Sequence, residues 1–250
     1  MWANLRQALA FLTRFPACPD LADPVTSVPY FLPAGFVLGL FLSLAAFVVD
    51  SIFAVHAYHA LLAAFLWLCL ELWSTRALHW DGLADLSDAL GSGAHGTRFL
   101  EILRDSRLGS FGAIALILVL LGHFLVVSLH LAEQNYLMLV LAPAFARAMP
   151  VLLAQGLDAN AGSRLGLMVV QALSRYPWLL AQTLAFVLLL PLLLVLFKSS
   201  WQVLLLYPLT AALLHALRST ARREGGISGD YCGAAIELAQ LLFLFCTLGY

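Results

Sequence analysis

Charge is what this 250-residue sequence has least of. Asp, Glu, Lys and Arg make up 11% of it and hydrophobic residues 62%, whereas a soluble domain carries roughly 25% charged residues. With a mean hydropathy of +0.93, this excludes an ordinary soluble domain and predicts an integral membrane protein. The net charge of −1 gives no electrostatic ground for a nucleic-acid partner. The four cysteines (Cys18, Cys69, Cys232, Cys246) include no CxxC pair, so neither a disulfide framework nor a zinc site is indicated. There is no period-2 alternation of the kind a membrane barrel needs, no strong internal repeat and no low-complexity tract. The first 16 residues, MWANLRQALAFLTRFP, lack the long apolar core and small-residue cleavage site of a signal peptide. They read as an amphipathic, interfacial helix over about 1–16.

What is present is a series of apolar runs. A bilayer core takes roughly 20 apolar residues per helix, and such runs fall at about 30–53, 57–78, 110–131, 135–154, 178–197, 200–217 and 234–249. The expected fold is therefore all-α: one polytopic domain over 1–250 with about seven transmembrane helices. Pro143 and Arg147 inside the fourth run predict a kink there. The basic residues sort to one side. Arg6, Arg14, Arg76, Arg98, Arg104, Arg107, Arg164, Arg175, Arg218, Arg222 and Arg223 flank alternate ends, against Lys198 on the other side. The excess of positive charge assigns the first group, the N-terminus and the segments about 79–109 and 218–237 to the cytoplasm.

The segment 79–109 holds five of the fourteen acidic residues: Asp81, Asp85, Asp88, Glu101 and Asp105. The spacing i, i+4, i+7 puts Asp81, Asp85 and Asp88 on one helical face, with Leu83, Leu86 and Leu90 on another. Carboxylates that share a face repel each other unless a cation compensates. Mg²⁺ is the natural candidate because it takes carboxylate oxygens and bridges to phosphates; Ca²⁺ or Mn²⁺ would accept the same ligands. Asp105 follows between Arg104 and Arg107, which could fork phosphate oxygens. Acids for metal and arginines for phosphate make a phosphoryl-transfer set. The plainer alternative is that each acid is a cap or a solvated loop residue. His79, two residues before Asp81, reads either as a general base or as an interfacial histidine without chemistry.

A second segment, REGGISGDYCGAAIE, runs glycines, Ser228 and Asp230 into the last helix. Free N–H groups at such an entry suit an anion, and Asp230 and Glu237 share a face. Gly229 and Gly233 also form GxxxG, a packing pattern in membranes. So do Gly35 and Gly39, where packing is the reading. Arg147, deep in the fourth run, needs a polar cavity or an acid partner: a phosphate, an aspartate of the acidic segment, or a purely structural ion pair.

These stretches together resemble the cobalamin synthase family, the adenosylcobinamide-GDP ribazoletransferases. AFLTRFP (10–16) resembles its N-terminal signature, and HWDGLADLSDAL (79–90) its H-x-D-G-L-A-D-x-x-D-G-L motif. ILRDSRLGSFG (102–112) and GGISGDYCGAAIE (225–237) are similar to its later motifs, in family order. Ala89, Arg104, Ser228 and Gln240 depart from the usual glycine, lysine, threonine and glutamate. The resemblance implies a multi-pass enzyme of a bacterial inner membrane. It would join adenosylcobinamide-GDP to α-ribazole, or its 5′-phosphate, with Mg²⁺ and release of GMP; a homo-oligomer is compatible with it. By position, Asp81, Asp85, Asp88 and Asp105 would hold metal. Asp81 or His79 would act in catalysis, and Arg104, Arg107, Arg147, Ser228, Asp230 and Glu237 would contact substrate. The nearest alternative is a CDP-alcohol phosphatidyltransferase-like enzyme, but the arginine of its D-G-x-x-A-R motif is missing here. A cation transporter is less favoured, since its acids would lie near the midplane.

Overall fold

The computed structural model describes residues 2–15, 23–198 and 201–249. Pro16, which ends the first motif stretch, and Cys18 lie outside the described residues, as does the side chain of Lys198. The described chain is helical, with one isolated parallel bridge between Ala159 and Ile227. The α-helices are α1 (Trp2–Leu12), α2 (Phe31–Ile52), α3 (His59–Thr75), α4 (Leu78–Gly91), α5 (Thr97–Leu103), α6 (Ser110–Ala132), α7 (Tyr136–Ala154), α8 (Arg164–Arg175), α9 (Pro177–Lys198), α10 (Leu206–Arg223) and α11 (Gly229–Cys246). 3₁₀ turns at Pro24–Tyr30 and Trp201–Leu205 lead into α2 and α10.

Six segments, built on α2, α6, α7, α9, α10 and α11, are long and apolar enough to cross a membrane. A seventh crossing exists only if α3 and α4 are taken together, and these are bent by 87°. The hydropathy runs thus locate every crossing helix, with two differences. First, α11 begins at Gly229 rather than near 234, because Ser228 takes the N-cap position and Asp230 sits in the first turn, where an acid is favoured by the helix dipole. The polar residues are part of the helix, and the true connection is only 224–228. Second, the stretch 155–177 contains α8, whose Ser163 hydroxyl oxygen accepts the Gly166 amide at 3.1 Å. Its buried residues, Gly166, Met168, Val169 and Ala172, form one face, which a search for continuous apolar runs passes over.

The centre of the bundle is α7, buried along most of its length and continuous through Pro143 and Pro150. It packs against α2 and α11. Gly35 and Gly39 leave no room for a Cβ against the backbone of Pro143 and Val140, so this GxxxG serves close helix packing. At one end of the bundle Asp50 joins His59 (2.5 Å) and the Tyr136 hydroxyl (2.6 Å), tying α2, α3 and α7. Each of the motif stretches gathers at the opposite end, around α4. Of the cysteines described, Cys69, Cys232 and Cys246 are free.

Candidate active site

The bend that creates the site lies between α3 and α4. Arg76 and Ala77 both adopt left-handed backbone (φ 58° and 53°), a conformation that costs a non-glycine residue about 1–2 kcal/mol. Reciprocal capping holds the bend. The Arg14 side chain donates to the Trp73 carbonyl at the end of α3 (2.6 Å). The Arg76 side chain donates to the Phe11 carbonyl at the end of α1 (2.8 Å). Each cation thus adds a side-chain donor to a carbonyl at the other helix's C-terminus, which gives the TRF stretch a structural use.

From this bend α4 runs across the start of α11 at very close range. A Cβ on Gly82 would stand 2.8 Å from the Asp230 Cα, and one on Gly233 would stand 2.8 Å from the His79 carbonyl oxygen. The crossing brings Asp81 and Asp85 beside Asp230. Half-burial pushes the Asp85 carboxyl up to about 7, reinforced by the charges of Asp81, Asp230 and Asp88. The Ser228 hydroxyl donates to Asp230 Oδ2 (2.9 Å) and so fixes that carboxylate's orientation. Gly226 (φ +111°) lets 224–228 run against Asp158 and Ala159, where Ile227 N–H donates to the Asp158 carbonyl (2.8 Å).

Two cavities flank Asp81. One, about 500 Å³, is lined by Arg76, Trp80, Asp81, Asp85, Ser106 and apolar residues of α3 and α6. The other, about 450 Å³, is lined by Phe11, Arg76, His79, Asp81, Leu165 and Asp230. Asp81, Arg76 and Leu78 belong to both walls. His79 is 2% exposed, and burial, then the Arg147 charge, holds its imidazole well below its ordinary range. Its Nδ1 lies 3.5 Å from Glu237.

The remaining sequence candidates take other positions. Asp88 is bonded through both oxygens to the start of α6, accepting from the Gly109 amide (2.7 Å) and the Gly112 amide (2.8 Å). Asp105 is paired with Arg107 (2.6 Å), whose hydrogen bonds hold its carboxyl down at about 2. Arg104 donates to the Ala161 carbonyl (2.6 Å), tying α5 to the 155–163 connection. Arg147 lies near neither an aspartate of α4 nor a cavity containing Asp81. It is 1% exposed and donates to Gln240 Oε1 (3.1 Å), while Gln240 donates to Glu71 Oε1 (2.7 Å). Glu237 completes this buried group beneath His79. Arg147 thus meets Gln240 and, through it, Glu71 of α3, rather than an aspartate of α4. Glu237 is fully buried and lines neither of those cavities.

Two residues were overlooked in the sequence. Arg76 lines both cavities; its signal was its isolation, the lone basic residue between Arg14 and Arg98, five positions before the first aspartate. Glu71 is an acid inside an apolar run, which by itself marks a paired or functional site.

The donor set fits a hard cation. Asp81, Asp85 and Asp230 offer carboxylate oxygens whose mutual repulsion a divalent ion would relieve. Among the described residues no three His, Cys, Asp or Glu stand in the geometry of a closed metal site. The family model described as Cobalamin-5-phosphate synthase matches residues 4–248. A Nitratidesulfovibrio vulgaris (strain DP4) protein named adenosylcobinamide-GDP ribazoletransferase is 35% identical over 92% of this chain and 90% of its own. Relatives of the same name from Syntrophobacter fumaroxidans (98% of this chain, 97% of the relative) and Pseudomonas putida (96% and 94%) are each 32% identical. No solved structure matches. From near its first residue to near its last, the chain belongs to the cobalamin-5-phosphate synthase family.

Proposed function

We propose that this protein transfers the phosphocobinamide group of adenosylcobinamide-GDP to the hydroxyl of α-ribazole, or of its 5′-phosphate. The new bond is ribazole oxygen to phosphorus, the bond broken is the phosphoanhydride to GMP, and the hydroxyl proton passes to a base. The observation that carries this reading is the shared wall of Asp81 and Arg76 between two cavities. In-line displacement sets acceptor and leaving group on opposite sides of phosphorus, and two cavities that share Asp81 and Arg76 support it by offering each a space beside the same side chains.

Asp81, Asp85 and Asp230 would hold Mg²⁺, which when bound neutralises diphosphate charge and stabilises the departing phosphate. Arg76 orients phosphate oxygens from the same wall. Asp81 or His79, both lining the 450 Å³ cavity, would take the hydroxyl proton. The eleven-to-one bias of basic residues supports a cytoplasmic site on an inner membrane.

The test is GMP release by the purified protein from adenosylcobinamide-GDP and α-ribazole with and without Mg²⁺. Mg²⁺-dependent release that Asp81→Asn reduces by about 10² or more, as loss of a transition-state electrostatic contact does, is the expected result. Near-normal release by the variant at saturating Mg²⁺ would remove Asp81 from the site. Turnover of a CDP-alcohol instead, or cation flux in liposomes without GMP release, would favour the other classes.

A further inference from the structure

The two cavities beside Asp81 differ in what builds their apolar walls. In the 500 Å³ cavity these walls include Leu72 of α3 and Leu116 and Leu120 of α6. The two α6 leucines stand about 9 and 15 Å along the helix from its first residue, inside a segment long and apolar enough to cross a membrane. In the 450 Å³ cavity the apolar walls are Ala10 and Phe11 of α1, Leu78 of α4 and Leu165 of α8. Helices α1 and α8, of 11 and 12 residues, are too short to cross a bilayer core. The second cavity is thus walled by helices outside the crossing set.

Its walls are held in place from behind. The Phe11 ring lies parallel to that of Phe31, with centroids 5.9 Å apart and 5° between the planes, and the Phe11 carbonyl accepts from Arg76. Phe31 is buried and Phe11 half-buried, so Phe31 backs the ring that lines the cavity. Leu165 is set by the packing of α8 on the start of α11. A Cβ on Gly166 would stand 2.2 Å from the Ile227 carbonyl oxygen, and one on Gly229 would stand 3.6 Å from the Leu165 side chain. Against these apolar walls stand four polar residues, Arg76, His79, Asp81 and Asp230. Apolar walls with a few convergent polar groups are the usual make-up of a small-molecule site.

We propose that the 450 Å³ cavity is the acceptor site, with the flat, apolar base of α-ribazole against Phe11 and Leu165 and the ribose hydroxyl facing Asp81 and His79. This assignment rests on the transfer reaction proposed above and places one of its two substrates. A nucleoside fits a space of this size, whereas the far bulkier corrin ring of the donor does not. Both groups able to take the hydroxyl proton line this cavity, and His79 lines it alone of the two. A water-soluble acceptor also suits walls built from helices that do not cross. The diphosphate of the donor then meets Asp81 and Arg76 from the 500 Å³ side, beside Asp85 and Ser106. Phe11 and Leu165 thereby determine which bases are accepted.

GMP release by the purified full chain with Mg²⁺, at varied donor and acceptor concentrations, tests this. The acceptors are α-ribazole and the α-riboside of naphthimidazole, in which a further ring replaces the two methyl groups of the base. Phe11→Ala should raise KM for α-ribazole by about 10–100-fold, the worth of one base–aromatic stack, and leave KM for adenosylcobinamide-GDP unchanged. Phe11→Tyr, which keeps the ring, should stay near the parent. Leu165→Ala, which widens the cavity, should shift the ratio of the two kcat/KM values towards the larger base by about ten-fold, as methylene-scale changes in an apolar pocket do. A ratio between two acceptors does not depend on how much of a variant is folded. A raised KM for the donor rather than the acceptor in Phe11→Ala, or an unchanged acceptor ratio in Leu165→Ala, would overturn the assignment and leave the reaction standing. A parent that releases no GMP with either acceptor would overturn the reaction itself, and the assignment with it.

Discussion

Gly82 and Asp230 touch backbone to backbone: a single added methyl at Gly82 would stand 2.8 Å from the Asp230 Cα and 3.2 Å from its carbonyl oxygen. This contact sets the spacing of the carboxylates on α4 from the one on α11. Gly82→Ala must push the two helices apart, and overpacking of this kind costs about 1–3 kcal/mol. A misplacement near 1 Å can cost about 10² in rate, so activity should fall far more than stability. GMP release measured beside the melting temperature checks this, and a fully active variant would show that the crossing does not position the site.

Asp88 reaches the first turn of α6 with both oxygens, on the Gly109 and Gly112 amides. Hydrogen bonds to a charged group contribute about 1.5–3 kcal/mol each. Asp88→Ala should therefore lower the melting temperature clearly and speed amide exchange at the start of α6. Asp88→Asn, which keeps one acceptor, should fall between. If Asp88→Ala melts like the parent but loses Mg²⁺ dependence, Asp88 is a metal ligand rather than an anchor.

Both outcomes reach back to what the sequence could and could not say. The crossing helices were legible because a bilayer demands long apolar runs, and such runs are local. The acidic face was legible because helical spacing is local too. Which carboxylates of that face meet a cation was not. Asp88 lies seven residues beyond Asp81, and only the packing of α6 on α4 shows its oxygens already engaged. The pairing of Asp105 with its own neighbour Arg107 depends on the local turn, which spacing alone does not give. Arg147 announced a buried partner; only the packed bundle shows that Gln240 receives it and that Glu71 and Glu237 both bear on it. Arg76 gave almost no signal, since an arginine at a span end ordinarily reports topology alone.

Arg14 and Arg76 cap each other's helices, but only Arg76 also lines the two cavities. The pair separates anchoring from substrate contact. Arg14→Gln and Arg76→Gln should both loosen α1. Arg76→Gln should in addition reduce kcat/KM for adenosylcobinamide-GDP by about 10–100-fold, the worth of a charge-assisted hydrogen bond. Equal losses in the two variants would reduce Arg76 to an anchor.

The buried group under His79 should behave as a unit. Arg147→Gln leaves Glu71 and Glu237 without a compensating cation, and breaking a buried pair costs about 3–5 kcal/mol. Adding Glu71→Gln removes one of the stranded acids and should restore part of the melting temperature. Additive losses in the double variant would mean that Arg147 and Glu71 do not interact.

Asp85 provides a pH signature. Its folded-state carboxyl titrates at about 7, raised by burial and by the charges of Asp81, Asp230 and Asp88, whereas an unfolded aspartate titrates at about 3.9. Between these values the folded state holds the extra proton, so stability falls as pH rises, and the loss is complete above about 7. In metal-free detergent solution the protein should therefore melt lower at pH 8 than at pH 5.5. Asp85→Asn, which never ionises, should show a smaller drop. A divalent cation that binds the ionised cluster opposes the same loss, so Mg²⁺ should raise the melting temperature more at pH 8 than at pH 5.5 and release protons as it binds near neutrality. Melting curves at the two pH values, with and without Mg²⁺, measure all three effects. A Mg²⁺ increment that is independent of pH and survives in Asp85→Asn would place the ion elsewhere.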